Sequence, residues 1–490
     1  MNKPILFYSA LATILLGASA ILAIPELTLA QQESGGWSRP VNLSNTDTQS
    51  DNPSMAVDPS GRVHVVWSEA TNDERSFISY TKLGEGVWSP ANEIITSPND
   101  PTASFPSLAA DSLGVLHLVW SGDGTLYYSR AYAPYASRAH DWSRPTALEY
   151  AQSYLGRPHL QVDTQDALYL AYPITFGASS GIYITKSSDG GQNWSDPTTV
   201  YKNDHSDRTV DIPRLAVSSD GALHVVWVES DYPESFPSLG IRYAHSNDFG
   251  TTWSGPLVLA DGPYSFPAIL TRAPNEVHVV YSGTTSDRYK FHIWSADGGR
   301  TWAEAFRNTE LGGYQGLPAL VEDSSGILHW LTSASVFRIH NDSLYHITRQ
   351  DETWLPGEDL LRNEPVEQNL KDVSAAVALG NDLHVVVQYP VASQIQPEGW
   401  QDEIYYMHTT LNTPGEPATA LANPTPIPTV ASIGTTSATS PEIRPTLTAR
   451  ENLSSPTSAS MGGIITIGSL ASLALVVVVI LLARRSQGQE

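Results

Sequence analysis

Val63-His-Val-Val-Trp67 is the first of seven near-copies of one short apolar run. The others are Leu116-His-Leu-Val-Trp120, Leu168-Tyr-Leu-Ala-Tyr172, Leu223-His-Val-Val-Trp227, Val277-His-Val-Val-Tyr281, Leu328-His-Trp-Leu331 and Leu383-His-Val-Val-Val387. β-Branched and aromatic side chains favour strands, and a run that is apolar on both faces belongs to a sheet covered on both sides. A turn such as Asp58-Pro-Ser-Gly61 or Ser219-Asp-Gly221 precedes the run. Before the turn lies another strand, which opens at Pro53, Pro106, Pro158, Pro213, Pro267, Pro318 and Ser374. Subtracting successive openings gives intervals of 53, 52, 55, 54, 51 and 56 residues. A period near 50 marks a propeller or a solenoid.

The second half of each repeat adds two more strands. Ile78-Ser-Tyr-Thr, Ile182-Tyr-Ile-Thr and Ile241-Arg-Tyr-Ala are each followed by a turn and a Trp. A solenoid needs polar end caps, and none is seen. The pattern therefore predicts an all-β fold, a β-propeller of about seven four-stranded blades, or six if one repeat is irregular. The last repeat stops after its third strand, Ile404-Tyr-Tyr-Met-His408, while Trp37-Ser-Arg-Pro-Val-Asn-Leu43 precedes the first repeat. One blade is predicted to be completed by both ends of the propeller, which spans 36–410.

Three turns between third and fourth strands share the pattern Ser-x-Asp-x-Gly-x-x-Trp. They carry Ser187, Asp189, Gly191 and Trp194; Ser246, Asp248, Gly250 and Trp253; and Ser295, Asp297, Gly299 and Trp302. Asp accepts hydrogen bonds from turn N–H groups, Gly adopts positive φ, and Trp plugs the hairpin onto the blade. Trp37, Trp88, Trp142 and Trp354 keep the plug alone. On these motifs the chain resembles the Asp-box (BNR) repeat proteins of the sialidase superfamily. The resemblance implies that the boxes are structural hairpins on the rim, away from the functional face. It leaves sialidase, other glycosidase, lectin-like binder and receptor open, because fold does not give function.

The resemblance also implies what a sialidase site requires: three arginines clamping a carboxylate, a Tyr nucleophile with a Glu, and an Asp acid/base. The first arginine belongs to a Phe/Tyr-Arg-Ile-Pro motif on the first inner strand. This chain has Asp51-Asn52-Pro53-Ser54 there. The nearest string, Phe337-Arg338-Ile339-His340, lacks the Pro and falls at the wrong phase. Seven blades also depart from the six usual in sialidases.

Comparing the repeats gives another pointer. The residue after the opening Pro is Ser54, Ser107, His159, Arg214, Ala268 and Ala319, with Ala375 after Ser374. The residue before it is Asn52, Phe105, Arg157, Ile212, Phe266 and Leu317, with Val373 in the last repeat. Arg157, His159, Asp211 and Arg214 are expected to gather at the channel mouth between the third and fourth repeats. They either plug it, with Asp211 paired to an arginine, or receive an anionic or sugar ligand. Loops on the same face supply Arg75, Arg288, Tyr264 and Tyr314, as well as Tyr154, Glu74 and Asp287. The recurrent His64, His117, His224, His278, His329 and His384 form one column and read as architectural. No metal spacing, phosphate loop or cofactor motif stands out.

Composition sets the surroundings. Lys+Arg 27 against Asp+Glu 51 gives a formal net charge of -24 over 490 residues, which argues against a nucleic-acid partner. Cysteine is absent, so no disulfide or thiolate site exists. Residues 1–30 read as a signal peptide. Residues 412–460, rich in Pro, Thr, Ser and Ala, read as a disordered stalk. Residues 462–483 are an uncharged apolar run long enough for a transmembrane helix. Arg484 and Arg485 follow and place 484–490 in the cytoplasm. The expectation is a single-pass membrane protein whose extracellular propeller binds a glycan or other cell-surface ligand without catalysis. An exo-sialidase or related glycoside hydrolase is the alternative.

Overall fold

The computed structural model describes residues 36–421, apart from 72, 74, 151–154, 233–237, 273–274, 285–287, 314–315, 337–341, 363–367 and 394–398. The signal segment 1–30, the stalk beyond 421, the apolar run 462–483 and the tip 484–490 lie outside the described residues, as do Tyr314, Tyr154, Glu74, Asp287 and Phe337-Arg338-Ile339-His340. Among the described residues no helix is long and apolar enough to cross a membrane.

The fold is all-β and propeller-like. Each repeat is an antiparallel sheet. In the first, Ser50–Val57 pairs with Val63–Ala70, which pairs with Ser76–Gly84, and Asn92–Ile95 lies on the outer side. The apolar second strands are buried throughout, with Trp67, Trp120, Trp227 and Trp330 fully enclosed. The inner strands neighbour one another in chain order: Ser50–Val57, Ser104–Ala110, His159–Val162, Arg208–Val217, Tyr264–Arg272, Ala319–Glu322 and Val373–Ala378, and the last lies against the first. Val41 pairs with Tyr406 and Asn42 with Tyr405, so the N-terminal segment supplies the fourth strand of the seventh repeat, as the sequence predicts. Among the described residues, hydrogen bonding yields six sheets rather than seven. Leu311 pairs with Val336 and Gly312 with Ser335, which fuses the fifth and sixth repeats into one nine-stranded sheet.

The Trp plugs seat on the preceding repeat, not on their own blade as expected. Trp142 meets Tyr80 edge-on at 6.1 Å, Trp194 meets Tyr128 at 5.3 Å and Trp302 meets Tyr243 at 4.9 Å. Trp88 of the first repeat meets Tyr406 of the seventh at 4.7 Å. Edge-on aromatic pairs of this kind add roughly 1 kcal/mol each beyond area burial.

The histidine column is architectural in most repeats. His64 Nδ1 lies 2.7 Å from the Tyr80 hydroxyl, and its Nε2 lies 3.2 Å from Asp58 Oδ2. His117 repeats this with Tyr128 at 2.8 Å and Asp111 at 3.2 Å. The Tyr128 hydroxyl then donates to the Gly190 carbonyl of the next repeat's box at 3.3 Å. This contact fixes the box glycine. A Cβ at Gly191 would sit 1.8 Å from the Tyr128 oxygen, and one at Gly299 would sit 1.7 Å from the Tyr243 oxygen, both at φ +80. Asp189 accepts the Asn193 N–H and side chain, and Asp248 and Asp297 accept the Thr252 and Thr301 hydroxyls with the turn N–H groups, which holds all three carboxyls at about 2. The boxes thus couple neighbouring repeats.

The first ten residues of the expected stalk are a strap. The Glu416 N–H donates to Leu379 O at 2.7 Å, Ser324 Oγ donates to Pro414 O at 2.5 Å, and the Thr419 N–H donates to Pro59 O at 2.8 Å. Leu421 packs on the apolar cluster of the first and second repeats.

Candidate functional site

The seven inner strands enclose a channel of about 380 Å³ lined by Arg157, His159, Arg214 and Asp372 among others. Its mouth is shaped by bulges. Asn52, Phe105, Ile212 and Phe266, each just before an inner-strand Pro, have φ between 54 and 56. Left-handed backbone at non-glycine residues costs on the order of 1 kcal/mol or more and persists only where surroundings enforce it. Asp211 is one such enforcer. Its Oδ1 accepts the Ile212 N–H at 2.7 Å and the Arg157 N–H at 3.1 Å. A Cβ at Gly156 would fall 2.1 Å from that oxygen, which is why glycine stands there. The expected pairing of Asp211 with a guanidinium is therefore corrected: it braces backbone between the third and fourth repeats.

Arg157 instead reaches Asp372 of the seventh repeat, Nη1 to Oδ2 at 2.5 Å, with its guanidinium 4.7 Å from the Phe105 ring centre. Asp372 also accepts from Asn52 Nδ2 at 3.1 Å and the Leu317 N–H at 2.9 Å. Burial is the largest single influence and opposes its charge, but the Arg157 charge and the hydrogen bonds from Leu317, Arg157 and Asn52 together hold the carboxyl below the usual range. Arg214 has no carboxylate within ion-pair distance among the described residues. Burial, then the charge of Arg157, lowers it to about 10, so it stays cationic at neutral pH. His159 Nδ1 accepts the Leu215 N–H at 3.0 Å. Burial, then Arg214, keeps this imidazole neutral.

His159 breaks the small-residue column yet keeps its role. Ser54 Oγ accepts the Leu108 N–H and Ser107 Oγ the Leu160 N–H, both at 3.0 Å, and Ser374 Oγ accepts the Met55 N–H at 3.1 Å. Ala376 pairs with His384 as Ala56 pairs with His64, so Ser374 matches Ser54 and Asp372 matches Asn52. The sequence reading, which put Ser374 at the Pro position, is corrected by one residue. Counting back from the histidine finds it: 64 − 54 and 384 − 374 both give 10.

A second cluster, missed in the sequence, joins the first and seventh repeats. Gln49 Nε2 donates to Asp51 Oδ1 at 2.9 Å and Asp402 Oδ2 at 2.6 Å, and Gln388 Nε2 donates to the same two atoms at 2.6 and 2.9 Å. Lys371 Nζ lies 2.6 Å from Asp402. Burial, then the charge of Asp402, raises the Asp51 carboxyl to about 6.

Other expected residues do not join the channel. Arg75 and Arg288 are exposed and do not line it. Tyr264 packs edge-on against Tyr281 and Phe291 at 5.5 and 5.2 Å. A Tyr–Glu contact exists elsewhere: the Tyr201 hydroxyl donates to Glu229 Oε1 at 3.3 Å. Arg208 and Arg242 already pair with that carboxylate at 3.2 and 2.8 Å.

No family model matches the sequence, and no curated protein matches it. Solved structures do. A lectin from Burkholderia pseudomallei is 13% identical with TM-score 0.52, covering 72% of this chain and 98% of its own. An ulvan lyase, a polysaccharide lyase bound to a GlcA(1-4)Rha3S saccharide, is 13% identical with TM-score 0.51, covering 74% and 95%. The NanB sialidase of Streptococcus pneumoniae is 13% identical with TM-score 0.45, covering 79% and 71%. At such identities the lectin and the lyase establish a shared fold.

Proposed function

We propose that this chain is a membrane-anchored, extracellular, seven-bladed propeller that binds an acidic glycan at its channel mouth without cleaving it. The observation that carries the reading is Arg214, a half-buried arginine lining the channel with no carboxylate within ion-pair distance among the described residues. A fork of N–H donors in a low-dielectric site favours a planar carboxylate. The lectin and the saccharide-bound lyase that share the fold make a sugar acid the fitting carrier of that carboxylate. The glycoside hydrolase alternative draws on the Tyr201–Glu229 contact, but both nearby arginines are engaged by Glu229 itself.

A glycan array probed with residues 31–421 is expected to retain acidic saccharides and not their neutral counterparts. Arg214→Ala should weaken retention about tenfold or more, the loss of one charge-assisted hydrogen-bonded contact. Turnover of a fluorogenic sialoside, abolished in Arg214→Ala, would replace the binding reading with the hydrolase. The anchor rests on the run 462–483 and Arg484-Arg485. Protease added to intact expressing cells should release the propeller and leave an epitope on 484–490 protected; loss of that epitope would contradict the orientation.

A further inference from the structure

The seventh repeat departs from the histidine relay at one end of its second strand. In the first, second and sixth repeats an aspartate six residues before the column histidine faces its Nε2: Asp58, Asp111 and Asp323, at 3.2, 3.2 and 3.3 Å. The seventh repeat has Ala378 at that position. His384 is 2% exposed, and its Nε2 has no hydrogen-bond partner among the described residues. Two other groups converge on it. Asp382 Oδ2 lies 3.5 Å from His384 Nε2, and Asp382 Oδ1 lies 3.3 Å from His408 Nδ1. One ligand atom from each of the three residues lies within 4.8 Å of the others.

We propose that Asp382, His384 and His408 form a binding site for a divalent transition ion of the zinc class. Two imidazoles and a carboxylate are borderline donors that suit zinc and its first-row neighbours rather than calcium or magnesium. Ligands about 2.0–2.1 Å from a tetrahedral ion sit about 3.3–3.5 Å apart. The two Asp382 separations have that length, one to each carboxylate oxygen, so a small side-chain turn would bring one oxygen to face both imidazoles. The other ring nitrogen of His384 is 2.7 Å from the Tyr406 hydroxyl, which orients the ring with Nε2 toward Asp382 and can accept an Nδ1–H once Nε2 holds the ion. Asp382 is 36% exposed, so water can reach a fourth position. The fifth and sixth repeats are not equivalent: their paired histidines, His278–His292 and His329–His346, hydrogen-bond each other at 3.1 and 2.9 Å. His384 and His408 are direct cross-strand partners instead, stacked with ring centres 5.7 Å apart. An ion here ties the second and third strands of the repeat that both ends of the propeller complete.

The test titrates the metal-free full-length chain with Co²⁺, then displaces it with Zn²⁺. One equivalent should bind with the intense visible absorption of four-coordinate cobalt, and zinc should raise the melting temperature. Asp382→Asn and His408→Gln should each abolish both effects, while His140→Ala, at an exposed histidine, leaves them intact. Failure of the folded wild-type chain to bind, or binding that survives both substitutions, overturns the site. Should either variant fail to fold, X-ray absorption of the zinc-loaded wild type decides: two imidazoles with oxygen donors support the site, and an all-oxygen shell rejects it.

Discussion

Acidification from neutral to about pH 4 is expected to unfold the propeller well before its carboxylates finish titrating. Burial keeps His224 and His384 at about 4 and His278 and His346 at about 3, against an ordinary value of 6.5. Each is held neutral in the fold and protonates freely once unfolded. The stabilisation is complete above 6.5 and is lost as pH falls, because the unfolded chain then binds more protons. Each group contributes about 3 kcal/mol by pH 4, from a difference of some 2.5 units at about 1.4 kcal/mol per unit. Four such terms match the roughly 5–15 kcal/mol that holds a typical fold together. His64, His159, His292 and His329 are lowered too and act in the same direction. Asp51 works the other way, since its raised carboxyl favours the fold as pH falls through about 6, and the raised carboxyls of Asp211, Glu322, Asp342 and Glu403 act with it against the larger number of lowered histidines. The box aspartates add their loss only between about 4 and about 2. Urea midpoints measured at stepwise lower pH should fall steeply below 6.5. A midpoint unchanged down to pH 4 would mean that the column is not buried as described.

The second large effect is expected at Asp372. Its carboxylate binds groups from three other repeats: Asn52 of the first, Arg157 of the third and Leu317 of the sixth. Asp372→Asn leaves Arg157 without its ion-pair partner in a channel that Arg214 also lines. Removing one member of a buried ion pair typically costs about 3–5 kcal/mol, and the partial exposure of Arg157 puts this case near the lower figure. Denaturant midpoints should shift accordingly. A double-mutant cycle with Arg157→Ala should return a coupling of about 1–3 kcal/mol. Strictly additive losses would show that the 2.5 Å contact carries no energy in solution.

The sequence carried most of the frame because the frame is local and repeated. A Val-His-Val-Val-Trp run declares a strand covered on both faces, and the displaced Trp37 segment announces how the seventh repeat is finished. The functional face was only half legible. Arg157, His159, Asp211 and Arg214 do gather, yet the partner of Arg157 escaped notice because the seventh repeat lacks the Pro that marks phase elsewhere. The Asp51–Asp402 cluster joins residues far apart in the chain, and no single-strand pattern signals that meeting. The strap 412–421 was hidden by composition: Pro, Thr and Ala read as stalk, while backbone hydrogen bonds to turns at Leu379 and Pro59 are invisible to residue type. The direction of the Trp plugs needed the neighbouring repeat in view.

The central claim is that Arg214 receives a carboxylate at the channel mouth. Calorimetric titration of residues 31–421 with a glucuronate-containing oligosaccharide, and with the same oligosaccharide reduced to its neutral sugar, tests it most directly. Saturable binding of the acid form alone, weakened about tenfold or more in Arg214→Ala with the fold intact, is the expected result. Equal binding of both forms, or acid binding indifferent to Arg214→Ala, would contradict it.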